Sequence, residues 1–483
     1  MSLVEGAILD DYKILSSSSE VSVANFDQDR FVLMQPIGQA EAGQSVELVA
    51  DLSITENGLG GDLVFEIDRG YVGMTTAEIS NFACGQPGVV ETLTWDGLQP
   101  SGENIQRFTI PITLLFKPAQ NEYIVIAQHN FWYFGPKQGG GFGDGWGNRE
   151  TPLNPYLGDY WSSDPDVMYQ QIEWAVEYGV DAFSIEWTTP RGVGCCVSME
   201  ETLDDVFLKS PNIHKVRWAI FYDFVLRLGQ TSGLEQYQDG LNFNEPEVYD
   251  VFVSDFKHFA RKYFDHPQYL KIDGRPVIYI WATNAFVGDL EGALHEARKE
   301  VAELGFDVFI VGDEVVANRF DPHHASLFDG SSTFTFLIPG LDISSWNDMS
   351  DAATAVDLTF TRWGANLKGL KVIDREEYVN FQPAWAPQYD DRLIRPDSGI
   401  YIPATSKEQV VAMAEVARKH AQPVGSQGQK LIWLNTWNCW AETTTVEPTA
   451  NLGPKYPAGN YQFDMLEVVR EVFGVETFAC DIP

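Results

Sequence analysis

Residues 431–442 combine a short apolar run with an end rich in amides and tryptophans, and they close on Glu442. The run at 431–434 is typical of a buried strand, and in parallel barrels the residues that follow such strands form the site. Trp437 and Trp440 precede Glu442, and apolar surroundings raise the pKa of a carboxyl group and help it keep its proton near neutral pH. We therefore predict that Glu442 transfers protons at the floor of a sugar-binding cleft.

Carboxyl groups also end two other predicted strands. Glu186 ends the strand at 180–187, and Asp223 ends the strand at 216–223. A lone carboxylate in such a position is more often a capping or salt-bridged group, but the carboxyl ends of parallel strands converge on one face. Since glycoside cleavage commonly uses two carboxyl groups, we predict that Glu186 or Asp223 supplies the second one. Other polar residues at strand ends are Gln128, His129, Asp313, Glu314, Gln382 and Asn438.

A glycine-rich segment at 139–148 precedes these strands. It lacks the Lys-Ser/Thr pair of a phosphate-binding loop, and no helix follows it directly. We predict a mobile loop over the site, with Trp146 as its lid residue.

The charge balance limits the classes of partner. The chain of 483 residues has 69 acidic and 32 basic side chains, a formal charge of −37. Nucleic acids require a basic surface, so we expect no nucleic acid partner and no binding to anionic membranes. No apolar run reaches transmembrane length and no signal peptide is recognisable, so we expect a soluble protein of undetermined compartment.

The cysteines give no sign of a metal site. The five cysteines form no CxxC pair and no zinc spacing, and we expect neither a metal nor another cofactor. The sequence does not indicate the oligomeric state.

The elements needed to position these residues fall into two predicted domains. In residues 1–118, alternating apolar and polar residues at 46–54, 62–67 and 108–114 predict an antiparallel β-sandwich, an accessory domain. From residue 119 to 483 strands alternate with helices, and eight such units predict a (β/α)8 TIM barrel, an α/β fold.

The closing segment also carries a family resemblance. Residues 437–442, Trp-Asn-Cys-Trp-Ala-Glu, together with Val-Glu-Pro at 446–448, resemble the signature of glycoside hydrolase family 99 and of the related WbsX-like domains. Supporting similarity lies at 155–165, 266–279 and 389–396, and the resemblance spans residues 122–475. It implies a (β/α)8 enzyme that cleaves α-mannosides internally and retains the anomeric configuration.

The resemblance also implies roles for single residues. Glu442 matches the general acid/base, Arg395 a substrate-binding arginine and Asn438 the asparagine of the motif, whereas Cys439 stands where the family has a second glutamate. That glutamate is held to deprotonate the sugar 2-hydroxyl, and a thiol, mostly protonated at neutral pH, cannot simply replace it. Three outcomes are open: Glu186 or Asp223 substitutes, the protein binds glycans without cleaving them, or Cys439 is an ionised thiolate.

We therefore predict a glycoside hydrolase acting on an α-linked polysaccharide or oligosaccharide, with mannose among the candidate sugars. The alternative is a non-catalytic glycan-binding protein on a glycosidase scaffold. A polysaccharide-assembly transferase is a third possibility, for which no nucleotide site is visible. The predicted catalytic residues are Glu442, Glu186 and Asp223, and the predicted substrate-binding residues are Asn438, Cys439, Arg395, Trp437, Trp440, Tyr279, His129, Trp146 and Gln382.

Overall fold

The chain divides into two compact units, one of which comprises Asn121–Val475. The computed structural model describes residues 122–133, 153–188, 190–191, 199–228, 241–393, 395–397, 399–451, 455–456 and 460–474, and the backbone of residues 229–232 and of the strands that precede residue 116.

The described strands of the other unit form two antiparallel sheets. Their bounds are β1 (Asp11–Ile14), β2 (Ser22–Asp27), β3 (Arg30–Gln35), β4 (Val46–Thr55), β5 (Gly58–Ile67), β6 (Thr75–Ser80), β7 (Val90–Trp95) and β8 (Gln106–Leu115). One sheet has the order β1-β6-β7 and the other β2-β3-β4-β5-β8. The three predicted strands lie within β4, β5 and β8. The packing of both sheets into a sandwich, and the domain boundary after residue 118, stay predictions.

The barrel unit contains the remaining strands. They are β9 (Tyr123–His129), β10 (Ala182–Trp187), β11 (Arg217–Tyr222), β12 (Lys271–Ile272), β13 (Arg275–Ile280), β14 (Phe309–Asp313), β15 (Gly330–Ser332), β16 (Asn380–Gln382), β17 (Ala384–Trp385), β18 (Tyr389–Asp390), β19 (Tyr401–Ile402), β20 (Pro423–Val424) and β21 (Gln429–Leu434). Among the described residues, nine of them form one parallel path in the order β16-β15-β14-β13-β11-β10-β9-β21-β17.

This path is a near-closed barrel, because its two end strands, β16 and β17, are separated only by Pro383. Proline has no N–H to donate to a ladder, but its carbonyl accepts from the Trp433 N–H at 3.0 Å. Counted as one interrupted strand, β16 and β17 would give the eight positions of the predicted (β/α)8 barrel. The short strand β15 ends at Ser332, and the residues after Ser332 form the loop at the strand end.

Helices cover the outside of the barrel strands. Their bounds are α1 (Pro165–Glu177), α2 (Met199–Thr202), α3 (Phe224–Ser232), α4 (Pro246–Lys262), α5 (Leu290–Glu303), α6 (Pro322–Ala325), α7 (Met349–Leu367), α8 (Lys407–His420) and α9 (Asp464–Phe473). The start of α1 is stabilised by its own residues: Asp164 accepts from the Asp166 N–H at 2.9 Å, and Pro165 fixes the first turn. Within the described residues, no helix is long and apolar enough to cross a membrane.

Each barrel strand has two buried faces, as expected for a parallel sheet covered by helices. One face packs on the helices, and the other fills the barrel interior. In the interior the Tyr279 ring lies parallel to Phe221, with centroids 4.9 Å apart, and 4.6 Å from Trp433. This packing holds the strands in place, and it thereby fixes where the loops at their carboxyl ends begin.

Candidate active site at the carboxyl ends of the barrel strands

Glu442 lies in the loop that follows β21. Its Oε1 accepts hydrogen bonds from the Tyr389 hydroxyl at 3.0 Å and from Arg395 Nη1 at 3.1 Å. The side chain is 17% exposed, so it is neither buried beneath the barrel nor fully solvated. Glu442 is thus a carboxylate in contact with solvent and with one cation.

The segment Tyr389–Ile402, which contains the β18–β19 hairpin, carries the residues that hold Glu442. Buried Asp391 accepts from Arg395 Nη1 at 2.6 Å and from the Tyr389 hydroxyl at 3.2 Å, while its other oxygen accepts from the Ile400 N–H at 2.5 Å. Although burial lowers the pKa of Arg395, its hydrogen bonds to Asp391 and Glu442 raise it above the ordinary range. Asp391 therefore fixes a permanently charged guanidinium beside Glu442.

Glu186, at the end of β10, is buried within an amide network. Its Oε2 accepts from Gln128 Nε2 at 2.9 Å, and Gln128 Oε1 accepts from Asn435 Nδ2 at 3.1 Å. Burial raises the pKa of Glu186 well above its ordinary value, and the charges of Asp223 and Glu442 raise it further. The raised pKa favours the protonated form of Glu186, which lies within electrostatic range of both other carboxyl groups.

Asp223 lies just before α3 and is buried. It accepts a hydrogen bond from the Leu226 N–H at 2.8 Å, in the manner of a helix cap. Burial raises its pKa from 3.8 to about 7, against the opposing effect of hydrogen bonds from the Leu226 and Val225 N–H groups.

Cys439 interacts electrostatically with both Glu442 and Glu186. Its thiol is 3.8 Å from Glu442 Oε2, and its N–H donates to Thr436 Oγ1 at 2.6 Å. Burial, then the charges of Glu442 and Glu186, raise the thiol pKa well above its ordinary value. A thiolate at this position is therefore disfavoured, which weakens the third outcome considered from the sequence.

The sequence model of the family described as glycosyltransferase WbsX matches residues 249–458, from α4 to beyond Glu447. This segment is similar to the WbsX family, and we refer to residues 249–458 as the WbsX-like domain. The resemblance to WbsX-like domains noted in the sequence is thereby confirmed. The replacement of the family glutamate by Cys439 is a separate point that this match does not test.

Two curated relatives, uncharacterized proteins WxcX from two strains of Xanthomonas campestris pv. campestris, are each 21% identical to the chain over 334 residues. The match covers 64% of this chain and 42% of each relative, so the chain spans less than half their length.

Solved structures with a similar fold include glycosidases. A glycoside hydrolase-like protein has a TM-score of 0.54 and 18% identity, covering 74% of this chain and 96% of that one. The family 99 endo-α-mannosidase of Bacteroides thetaiotaomicron has a TM-score of 0.49 and 15% identity, covering 72% and 95%. At such identities the likeness to the first of these structures shows the fold alone.

Several predicted substrate-binding side chains of the WbsX-like domain and barrel are at most 1% exposed: Asn438, Trp437, Trp440, Tyr279, His129 and Gln382. Asn438 Oδ1 accepts from the Asn130 N–H at 2.8 Å, and Trp437 packs edge-on against Phe183 at 5.1 Å. Side chains this buried have no surface to offer a sugar, so direct contact stays a prediction that the structure does not support. These side chains support the site from the protein interior.

The other buried side chains of this group also contact residues in the protein interior. Trp440 Nε1 donates to the Tyr160 hydroxyl at 3.2 Å, and Gln382 Oε1 accepts from Trp433 Nε1 at 3.1 Å. Burial lowers the pKa of His129 to about 3, so the imidazole is neutral. Trp146 lies outside the described residues.

Two acidic residues at the end of β14 serve the scaffold. Asp313 accepts from the N–H groups of Ala282 and Phe334 at 3.0 and 2.9 Å, and Glu314 pairs with His324 Nδ1 at 2.8 Å. Among the described residues, neither side chain contacts Glu442. The same residues contain no group of three His, Cys, Asp or Glu side chains placed to hold a metal ion.

Sequence reasoning gave no role to Glu447, a buried acid of the WbsX-like domain. It accepts from the Tyr160 hydroxyl at 2.7 Å and from Gln171 Nε2 at 2.9 Å, and burial raises its pKa to about 7. These contacts attach the loop that bears Glu442 to helix α1. The position of Glu447 in the family motif was the signal available in the sequence; Asp391 was similarly visible in the stretch 389–396.

The variant Asp391→Asn tests whether Asp391 fixes the position of Arg395. We expect glycan affinity to weaken about tenfold to a hundredfold, because a hydrogen bond to a charged group contributes roughly 1.5–3 kcal/mol. Calorimetric titration with the best oligosaccharide ligand measures the loss. Asp390→Asn is the matched control, since Asp390 pairs with the exposed Arg392 and such pairs contribute little. Equal affinities of the two variants would contradict the role of Asp391.

Asp223→Asn should make stability less dependent on pH. The folded pKa of about 7 exceeds the unfolded value of 3.8, so the stability present below about pH 4 is lost as the pH rises towards 7 and the buried group finally ionises. Asparagine can still cap α3 and does not ionise. Between pH 5 and pH 8 the variant should gain about 2.5 kcal/mol of unfolding free energy relative to wild type. Urea unfolding measures the free energy of unfolding of both proteins at both pH values. A stability difference between variant and wild type that is the same at pH 5 and pH 8 would refute the prediction.

Cys439 should resist alkylation in the folded protein. Its raised pKa and burial leave almost no accessible thiolate at pH 7.5. We expect iodoacetamide to modify the Cys439 peptide at least about a hundredfold more slowly than after unfolding in urea, which serves as the internal control. Peptide mass spectrometry measures both rates; rapid labelling of the native protein would restore the thiolate alternative.

Proposed function

We propose that this protein is a glycoside hydrolase acting on an α-linked polysaccharide or oligosaccharide, at the carboxyl ends of the barrel strands. One observation carries the proposal: solvent-accessible Glu442 and buried Glu186, whose pKa is raised, lie within electrostatic range of each other, at the ends of separate strands. Glycoside cleavage commonly uses two carboxyl groups in different environments. The α-linkage, and mannose as a candidate sugar, come from the family 99 resemblance.

In this proposal Glu442 protonates the glycosidic oxygen as the C–O bond breaks, and then deprotonates the incoming water. In the unliganded site Arg395 and Tyr389 donate hydrogen bonds to Glu442 Oε1. A role as acid therefore requires the saccharide to displace Arg395 from that oxygen. Glu186 is the preferred second carboxyl group, because it interacts with both Glu442 and Cys439, whereas Asp223 interacts with Glu186.

The first test is a panel of α-linked glycans, including mannans, with product analysis. New reducing ends from at least one glycan are the expected result. The panel should also include nucleotide-sugar donors with acceptor glycans, since the matching family is described as a glycosyltransferase. Transfer from a nucleotide sugar without hydrolysis would replace the proposal.

The alternative is a glycan-binding protein without catalysis. The observation that favours it is the protonated, buried thiol of Cys439 at the position where family 99 has a glutamate. Glycan binding in the absence of new reducing ends, under conditions where a family 99 enzyme cleaves the same panel, would support this alternative and exclude hydrolysis.

A further inference from the structure

A cavity of about 900 Å³ opens at the opposite end of the barrel from Glu442. Its lining includes the first residues of three strands, Arg275 of β13, Phe309 of β14 and Asn380 of β16. In a parallel barrel all strands start on the same face, so the cavity belongs to the amino-terminal face. It shares no lining residue with the candidate active site.

Three of the four acidic groups of the cavity already have partners. Asp329 is paired with Arg275 and with Arg298 at 2.8 Å, and Asp307 with Arg375 at 2.9 Å. Asp273 accepts from the Ser426 N–H and hydroxyl at 2.7 and 2.6 Å. A cationic ligand would therefore find these three carboxylates occupied.

An anionic ligand is equally disfavoured. The charged side chains of the lining comprise four acids and two bases, namely Asp273, Asp307, Asp329 and Glu377 with Arg275 and Lys368. Arg298 and Arg375 pair with Asp329 and Asp307 from outside the lining. With them the four acids face four bases, so the cavity has no net positive charge to attract a phosphate or carboxylate group. What remains favoured is a neutral ligand.

The neutral part of the lining combines amides, an aromatic ring and aliphatic groups. Gln422 Oε1 accepts from the Phe381 N–H at 2.9 Å, and its amide nitrogen borders the cavity beside Gly364. Tyr378 is 57% exposed and adds a flat ring with a hydroxyl tip, and Leu367 adds an apolar wall. Amides pair with hydroxyl groups, and a ring face packs against the C–H face of a sugar.

The geometry points to a second saccharide-binding site in this cavity, specific for neutral sugars and separate from the proposed catalytic site. Its volume lies within the range of small-molecule pockets and accommodates a short segment of a neutral glycan. Such a site would hold a polymer on the face opposite Glu442. Its existence does not depend on catalysis by the protein.

Gly364 offers a way to block the cavity without disturbing the fold. It lies within α7, and an added Cβ would meet only Gln422 Nε2, at an ordinary distance of 3.5 Å. Replacing a glycine inside a helix also favours the helix. Gly364→Phe should therefore fold and fill the cavity. Leu358→Phe, at a 55% exposed position of the same helix, is the matched control.

The test is affinity electrophoresis of the full chain in gels containing α-mannan or α-glucan, with alginate as a polyanionic probe. All proteins carry Glu442→Gln to prevent hydrolysis of the gel. We expect one neutral polymer to retard the protein, and Gly364→Phe to weaken its binding about tenfold, while Leu358→Phe leaves it unchanged. Tyr378→Ala, at an exposed position, should also weaken binding and covers the case in which Gly364→Phe misfolds.

Equal retardation of the Gly364→Phe, Tyr378→Ala and control proteins would overturn the proposal, as would retardation by alginate alone. The outcome is separable from that of the proposed function. With Glu442 intact, Gly364→Phe should retain hydrolysis of short oligosaccharides, because the cavity lies on the other face.

Discussion

Glu442→Gln is expected to reduce hydrolysis of an unactivated α-linked oligosaccharide by about a thousandfold. Glutamine preserves the size of the side chain and an oxygen that can accept from Tyr389 and Arg395, but it cannot donate the catalytic proton. Loss of a positioned acid/base typically lowers rates 10²–10⁴-fold. Reducing-end release at saturating substrate measures the change. Glu415→Gln, an exposed acid paired with Arg418 on α8, is the control and should keep wild-type turnover.

A substrate whose leaving group needs no protonation then identifies the role of Glu442. A dinitrophenyl glycoside departs without protonation, so glycosidic bond cleavage in Glu442→Gln should recover much of its rate if Glu442 is the acid. Near-normal turnover of the unactivated substrate would overturn the assignment of Glu442. An equally deep loss on both substrates would show that Glu442 acts only as a base or by positioning.

Glu186→Gln is expected to reduce hydrolysis at least about a hundredfold, the lower range for a catalytic carboxyl group. The glutamine can still accept from Gln128 Nε2, which spares the buried amide network. Asp223→Asn is the comparison, because it removes the neighbouring acid that raises the pKa of Glu186. We expect Asp223→Asn to lose less than tenfold in turnover, and to shift the pH dependence of Glu186 to lower pH.

The pH profile gives an independent measurement for the same assignment. If the reaction needs the protonated form of Glu186, wild-type turnover falls as the pH rises through the raised pKa of Glu186, and Asp223→Asn brings that fall to lower pH. Identical profiles of wild type and Asp223→Asn, or a greater loss in Asp223→Asn than in Glu186→Gln, would make Asp223 the second carboxyl group instead.

The sequence by itself determined the features that depend on neighbouring residues. Apolar runs marked β10, β11 and β21, and the repeated alternation of strands and helices indicated a parallel barrel. The motif around Glu442 indicated the WbsX-like domain, which the family match bears out. These inferences succeed because strand burial and motif chemistry are encoded within a few consecutive residues.

Only the tertiary structure decided which residues of the motif face solvent. Trp437 and Asn438 lie behind the site because Phe183 and Asn130, far away in the chain, pack against them. Arg395 reaches Glu442 because Asp391 fixes the segment that carries it. Burial and pKa depend on every group that surrounds a side chain, and those neighbours come from distant elements whose relative placement no local pattern specifies.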